Sequence, residues 1–230
     1  METRHGGLEL SRQAMMVPTS IANTRITGIG IGAIGTNSMD MLARTGALRF
    51  TLVDPDRVQI ENLGPTSFGW GDLGMPKVEA MRARIMMITG GTASIETIEE
   101  RYRSQPLDDT DIIVVGVDSL ETRQSIWNHR HMFGDWSLYL DGRIGYDQAS
   151  VYAVRNGDEA AAAHYESTLL RPTGELPCGQ KATAYICYLI AGMLGSLVVL
   201  YLKQQPLPHE MYQKTMLESG AGPFYSVVNA

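Results

Sequence analysis

The stretch Thr24-Arg25-Ile26-Thr27-Gly28-Ile29-Gly30-Ile31-Gly32-Ala33-Ile34-Gly35 decides the fold. Thr24–Gly30 reads as a β-strand running into a glycine-rich turn, and Thr36–Thr45 (TNSMDMLART) has helical spacing, with Met39, Leu42 and Ala43 on one face. Between them lies a GxGxxG loop. Glycines there permit a tight turn and let the backbone approach a phosphate, which then rests on amides at the helix N-terminus. Gly30, Gly32, Ala33, Ile34 and Gly35 are therefore candidate nucleotide-binding positions. A glycine loop alone is weak, because ordinary turns share it. The next strand, Leu48–Val53, ends on Asp54-Pro55-Asp56, which puts Asp54 19 residues past Gly35. A carboxylate at that place can accept hydrogen bonds from ribose hydroxyls. Nucleotide binding follows, but these residues leave NAD, FAD and ATP open.

Working outward, Pro65–Gly74 is a loop, and Pro76 stands in the first turn of a helix over Lys77–Met87. Ser94–Ile98 reads as a third strand. Asp111–Val117 (DIIVVGV) is the continuous apolar run of a strand buried on both faces of a parallel sheet. A helix over Leu120–Phe133 and strands over Ser137–Leu140 and Ala149–Val154 follow. Residues 155–180 are polar and turn-rich and are expected to be irregular, and a short helix is expected around Leu8–Met16. Strands alternating with helices specify an α/β, doubly wound, mainly parallel sheet with helices on both faces. The reading is one domain over 1–230: an N-terminal arm at about 1–23, a nucleotide-binding core at about 24–135, and a C-terminal part at about 136–230.

Composition narrows the class. The chain has 230 residues, 44% hydrophobic and 19% charged, which is globular rather than disordered or fibrous. Asp and Glu number 25 against 19 Lys and Arg, and the net charge of −6 gives no overall attraction for nucleic acid. Two cysteines, Cys178 and Cys187, make neither a disulfide framework nor a four-cysteine zinc site. The opening METRHGGLELSRQ has no apolar signal core, so a soluble, cytoplasmic protein is expected. One stretch pulls the other way. Ala182–Leu202 is 21 uncharged residues between Lys181 and Lys203, long enough to cross a bilayer, with small-xxx-small pairs Ala191/Gly195 and Gly192/Ser196. The alternative is a helix packed inside the domain or a dimer interface. We favour that, because a lone span so late would follow a complete soluble domain.

Three segments carry a family resemblance: LVDPDRVQIENLGP (52–65), GDLGMPKVEAM (71–81) and DIIVVGVDSLETR (111–123). Together they resemble the ThiF/MoeB/HesA superfamily of adenylating enzymes, relatives of ubiquitin-activating enzymes. Asp54, Asp56, Val58, Asn62, Leu63, Gly74, Lys77 and Asp118 occur in the family order, and the resemblance covers about residues 10–205. It implies a Rossmann-like domain that binds ATP and Mg²⁺. The C-terminal carboxylate of a ubiquitin-like or sulfur-carrier protein would attack the α-phosphate, forming an acyl-adenylate and releasing pyrophosphate. Lys77, at a helix start, would contact phosphate; its plainer alternative is a solvated surface lysine. Asp118 would hold Mg²⁺, and it could also cap the helix beginning near Leu120. Asp56 and Asn62 would line the ATP site, or serve only as turn residues.

Ser11-Arg12-Gln13 is similar to the family's N-terminal element that reaches into a partner subunit, so Arg12 would act in trans within a homodimer; its plainer alternative is a solvated arginine. Cys178, near the start of the apolar helix, stands roughly where the family carries a transfer cysteine, and a thiol near a helix N-terminus has a lowered pKa; the alternative is a structural or incidental cysteine. Cys187 is expected in the core. LYLDGRIGYDQASVYAV, HYESTLL and ELPCGQKATAYICYLIAGML look like short bacterial ThiF-like proteins without the zinc-binding CxxC pairs, so no zinc is expected. Asp141 and Arg143 are charges in an apolar strand, and must pair (Asp141–Arg143 or Asp147–Arg143) or face a cleft. One departure matters. Family members commonly carry arginine and glutamine just after the Asn-Leu pair, and this chain has Gly64-Pro65-Thr66. The alternatives are a degenerate member that binds nucleotide or partner without turnover, a member acting on a tRNA base or a peptide, and a conventional NAD module.

Overall fold

The computed structural model describes residues 4–5, 8–103, 106–107, 110–145, 148–170, 183–214 and 224–228. A two-residue ladder, β1 (Arg4–His5) with β2 (Leu8–Glu9), precedes the main sheet. The helix expected over Leu8–Met16 is absent. A short helix in water needs a buried face, and Met15 is 93% exposed, so the segment forms turns instead.

The main strands are β3 (Arg25–Ile29), β4 (Arg49–Val53), β5 (Ser94–Ile98), β6 (Ile112–Val115), β7 (Leu138–Ile144), β8 (Gln148–Arg155), β9 (Glu210–Lys214) and β10 (Phe224–Val228). They form one sheet in the order β10-β9-β8-β7-β6-β3-β4-β5. The five from β5 to β7 are mutually parallel. The last three add antiparallel ribbons. Chain order reverses between β3 and β6, and in open α/β sheets the ligand crevice lies at the carboxyl ends of the strands at such a point.

Side-chain alternation sorts the core into two layers. Ile112 and Val114 of β6 face the side covered by α1 (Ala33–Thr45), α2 (Lys77–Ile88) and α5 (Ala184–Leu202). Ile113 and Val115 face α3 (Leu120–Asn128) and α4 (Glu159–Leu169), where Trp127, Phe133, Tyr139 and Tyr165 pack. The long apolar helix thus belongs to the fold. α5 lies against α1, β7 and β8, and Ile186, Ile190, Leu194, Leu197 and Val198 are fully buried, a contribution on the order of 10 kcal/mol. Its Cys187 is buried too, and burial pushes the thiol up to about 11.

α4 corrects the expectation of irregular structure over 155–180. Asp158 caps it, its Oδ1 accepting from the Ala161 amide at 2.9 Å, and the alanine run that follows is a strong helix former. Ala161, Tyr165 and Leu169 then recur on the buried face.

Two glycines set how closely these elements approach. A Cβ on Gly35 of α1 would overlap the carbonyl oxygen of Gly30, which is backbone and has no room to move. A Cβ on Gly195 of α5 would meet only the flexible end of Met41. We expect Gly35→Ala to cost about 3 kcal/mol or more and Gly195→Ala less than about 1 kcal/mol, read as urea midpoints in equilibrium unfolding.

Candidate functional site

The glycine loop is shaped by backbone contact. Gly30 has φ +86°, and a Cβ there would sit 2.8 Å from the Val117 amide nitrogen. Gly116 packs with the same closeness against the Gly35 nitrogen, so the end of β6 is pressed onto the loop. Gly32 differs: a Cβ there would meet nothing within 4 Å. It is the N-cap of α1, and no side chain caps that helix. The amides of Ala33, Ile34 and Gly35 fall in a first turn whose N–H groups lack intrahelical partners, at the positive end of the helix dipole. An uncapped turn with open space over its second glycine fits a phosphate group.

Beside the loop, Asp54 is 5% exposed. Its Oδ2 accepts from the Ile31 amide at 2.6 Å and its Oδ1 from the Asp56 amide at 2.8 Å. Burial raises its pKa above the ordinary 3.8, and Lys77 and the two amides pull the other way. Lys77 opens α2 and is 8% exposed, so it is not a solvated surface lysine. Its Nζ donates to Asp56 Oδ2 at 2.8 Å and stands 3.9 Å from Asp54 Oδ1. Asp54, Asp56, Lys77 and the glycine loop are thus brought together.

Asp118 is exposed just past β6, next to the residue that touches Gly30. The cap of α3 is Ser119, whose Oγ accepts from the Thr122 amide at 3.0 Å. Asp118 is therefore not the helix cap; it is an exposed carboxylate two residues past Gly116, at the carboxyl end of β6. That fits Mg²⁺, which in phosphate sites takes one or two carboxylates together with phosphate oxygens.

Asn62 is spent locally, its Oδ1 accepting from the Gln59 amide at 2.9 Å in a capping box. Arg12 is exposed and far from its own glycine loop. Its neighbour Gln13 donates to the carbonyl of Arg44 at 3.1 Å, near the opposite end of α1, about 17 Å along the axis from Ala33. Cys178, Lys181 and Asp147 lie outside the described residues.

Two groups were not singled out from sequence. Asn37 donates to the carbonyls of Ala33 and Pro65, at 2.7 and 2.8 Å, and Ser67 Oγ donates to Asn37 Oδ1 at 2.9 Å, tying the 62–68 loop to α1. Arg123 is buried and bonds both the Asp141 carboxylate and the carbonyl of Val117. An asparagine or an arginine within a helix gives no sequence signal of such a place.

The geometry defines an α/β domain with a crevice where strand order reverses. Comparison with known proteins identifies it further: the chain belongs to the ThiF family, whose sequence pattern matches residues 11–218. It is 32% identical over 106 residues to the NEDD8-activating enzyme E1 catalytic subunit of Arabidopsis thaliana, covering 44% of this chain and 23% of that protein. It is 36% identical over 67 residues to the tRNA threonylcarbamoyladenosine dehydratase of Bacillus subtilis (strain 168), covering 29% of this chain and 26% of the other. The crystal structure of E. coli MccB with ATP shares the fold, with a TM-score of 0.67 at 15% identity over 91% of this chain and 65% of that one. The chain thus spans about a quarter of the length of these curated relatives.

Two outcomes test the site. Gly32→Ala should fold normally, because its Cβ has open space, yet weaken ATP binding by calorimetry at least tenfold, because the methyl fills the cradle. Ionised Asp54 accepts from ribose hydroxyls more strongly than the protonated acid would. ATP affinity should therefore fall as pH drops, with the loss setting in above the ordinary aspartate value of 3.8. Asp54→Asn should weaken binding and remove that pH dependence.

Proposed function

We propose that this chain is an ATP-dependent adenylating enzyme, activating the C-terminal carboxylate of a ubiquitin-like or sulfur-carrier protein. The observation that carries the reading is the uncapped turn at Gly32 standing beside a buried Lys77. Phosphate needs donors and a cation, and both are already ordered there. A carboxylate oxygen of the substrate attacks the α-phosphorus of ATP. The bond from that phosphorus to the bridging oxygen breaks, and pyrophosphate carries away the electron pair. No protein nucleophile is required for this step, so catalysis rests on positioning and charge.

Each residue then has a task. Amides of Ala33, Ile34 and Gly35 hold phosphate oxygens, and Asp54 orients the ribose. Lys77 waits on Asp56, which is 61% exposed, so the exchange of that carboxylate for phosphate costs little. Mg²⁺, held by Asp118 and phosphate oxygens, would neutralise charge on the departing pyrophosphate. The placement of Arg12 at the far end of α1 supports a role in a partner's site, and hence a homodimer. Cys178 is the proposed acceptor of the activated carboxyl. A ubiquitin-like substrate is supported by the kinship with the NEDD8-activating subunit.

A second reading, a nucleotide-binding member without turnover, draws on the Gly64-Pro65-Thr66 loop, which is tied down by Asn37 and Ser67 and carries no cation. ATP–pyrophosphate exchange with candidate carboxylates separates the two. Under the first reading, exchange depends on one carboxylate, and Lys77→Ala or Asp118→Ala lowers it by about 10²-fold; the melting temperature holds in Asp118→Ala and falls in Lys77→Ala, which removes the cation beside buried Asp54. ATP binding without exchange would favour the second. Cys178→Ala should leave exchange intact and abolish thioester formation on the enzyme, seen as loss of an adduct that added thiol cleaves.

A further inference from the structure

The part of the crevice beyond Asp118 holds charges that the adenylation chemistry described so far does not use. Asp141 and Arg143 project from β7 to the same side of the sheet. The intervening Gly142 faces the other way, and a Cβ on it would come within 2.9 Å of Ile34 Cγ2 in the first turn of α1. The β7 backbone at Gly142 therefore packs against the first turn of α1, while the Asp141 and Arg143 side chains leave from the other face of the strand.

Asp141 is fully buried and is bracketed by two guanidiniums. Arg123 bonds its Oδ1, and Arg143 Nε donates to its Oδ2 at 2.8 Å, with the Tyr165 hydroxyl also donating at 3.0 Å. Two cations thus share one carboxylate. Among the described residues, Arg143 Nη2 is buried without a hydrogen-bond partner, and Nη1 reaches the Thr168 carbonyl at 3.5 Å. The Arg143 guanidinium stacks on Tyr152 at 4.4 Å. Burial, together with the nearness of Arg143, pulls Arg123 down to about 10. A second guanidinium on one carboxylate, half-buried and with a buried donor atom left unsatisfied, is costly for structure alone.

Strand order indicates which anion this cation meets. On the adenylating reading ribose would lie at the end of β4 (Asp54) and phosphate at the end of β3, whereas Arg143 stands at the end of β7, on the opposite flank of the sheet. The nucleoside takes the β4 side, and an attacking carboxylate must approach the α-phosphate from elsewhere. We propose that Arg143 is a substrate-positioning residue that binds the carboxylate to be adenylated, its guanidinium holding the oxygen that does not attack phosphorus. This deepens the adenylating reading and rests on it.

The test uses the whole chain with Mg²⁺ and the non-hydrolysable analogue AMPCPP, titrated with glycylglycine as the carboxylate probe and glycylglycinamide as its uncharged counterpart. Arginine side-chain NMR signals, assigned by loss in Arg143→Met, are followed. Glycylglycine should shift the Arg143 signal and the amide should not, and Arg143→Met should weaken the dipeptide at least tenfold while leaving AMPCPP affinity unchanged. Equal shifts from both dipeptides, or no shift, would overturn the assignment. A shift produced by AMPCPP alone would make Arg143 a phosphate contact and would overturn it as well. Thermal melting adds an independent readout. Arg143→Met leaves Asp141 paired with Arg123, so the melting temperature should hold or rise, and a large drop would mark the residue as structural. Because the titration needs no turnover, failure of ATP–pyrophosphate exchange with an intact dipeptide response would sink the adenylating reading alone, and the reverse would sink this one.

Discussion

Backbone pressed against backbone at three glycines is the constraint on which the rest of the structure depends. Gly30, Gly35 and Gly116 let the turn after β3, the first turn of α1 and the end of β6 meet without side chains between them. That contact brings Asp118, two residues past Gly116, to the same mouth as the α1 amides. It also leaves Gly32 as the one glycine of the GxGxxG loop with open space where a side chain would be. Closeness at three points creates room at the fourth.

The polar groups are organised on this frame in a chain of dependence. The Ile31 amide fixes Asp54, Asp54 receives the Asp56 amide, and Asp56 holds Lys77. Each group is oriented by its predecessor, so the cation is positioned before any ligand arrives. A parallel chain runs through the other face: Asp141 holds Arg123, and Arg123 holds the carbonyl of Val117, the residue before Asp118. The two chains reach the crevice from opposite flanks of the sheet.

Much of this was legible in the sequence, and the reasons for success and failure are physical. β3 to β6, α1 and α2 announce themselves through apolar runs punctuated by Gly and Pro, and β5 falls on Ser94–Ile98 as expected. The family membership was readable because several motifs recur in order. α4 was readable in principle from Asp158 and the alanines after it, but its polar surroundings masked the signal. β9 and β10 were not foreseen, because strands at the margin of a sheet carry mixed residues and owe their form to the neighbour they pair with. Arg123 was illegible for a deeper reason. An arginine on a helix reads as solvated, and only the passage of β7 beneath it supplies the carboxylate that permits burial.

The pairing of Lys77 with Asp56 carries a consequence for selectivity. A bare lysine at the head of a helix would collect whatever small anions the solution holds. Here an incoming anion must displace a carboxylate already in place, and one able to engage the α1 amides at the same moment does so most readily. An anion that met Lys77 alone would gain little over Asp56, whereas one carrying several negative oxygens on one skeleton would gain the α1 amides besides. Discrimination is built into the resting state, before any contact with a base or a sugar is made.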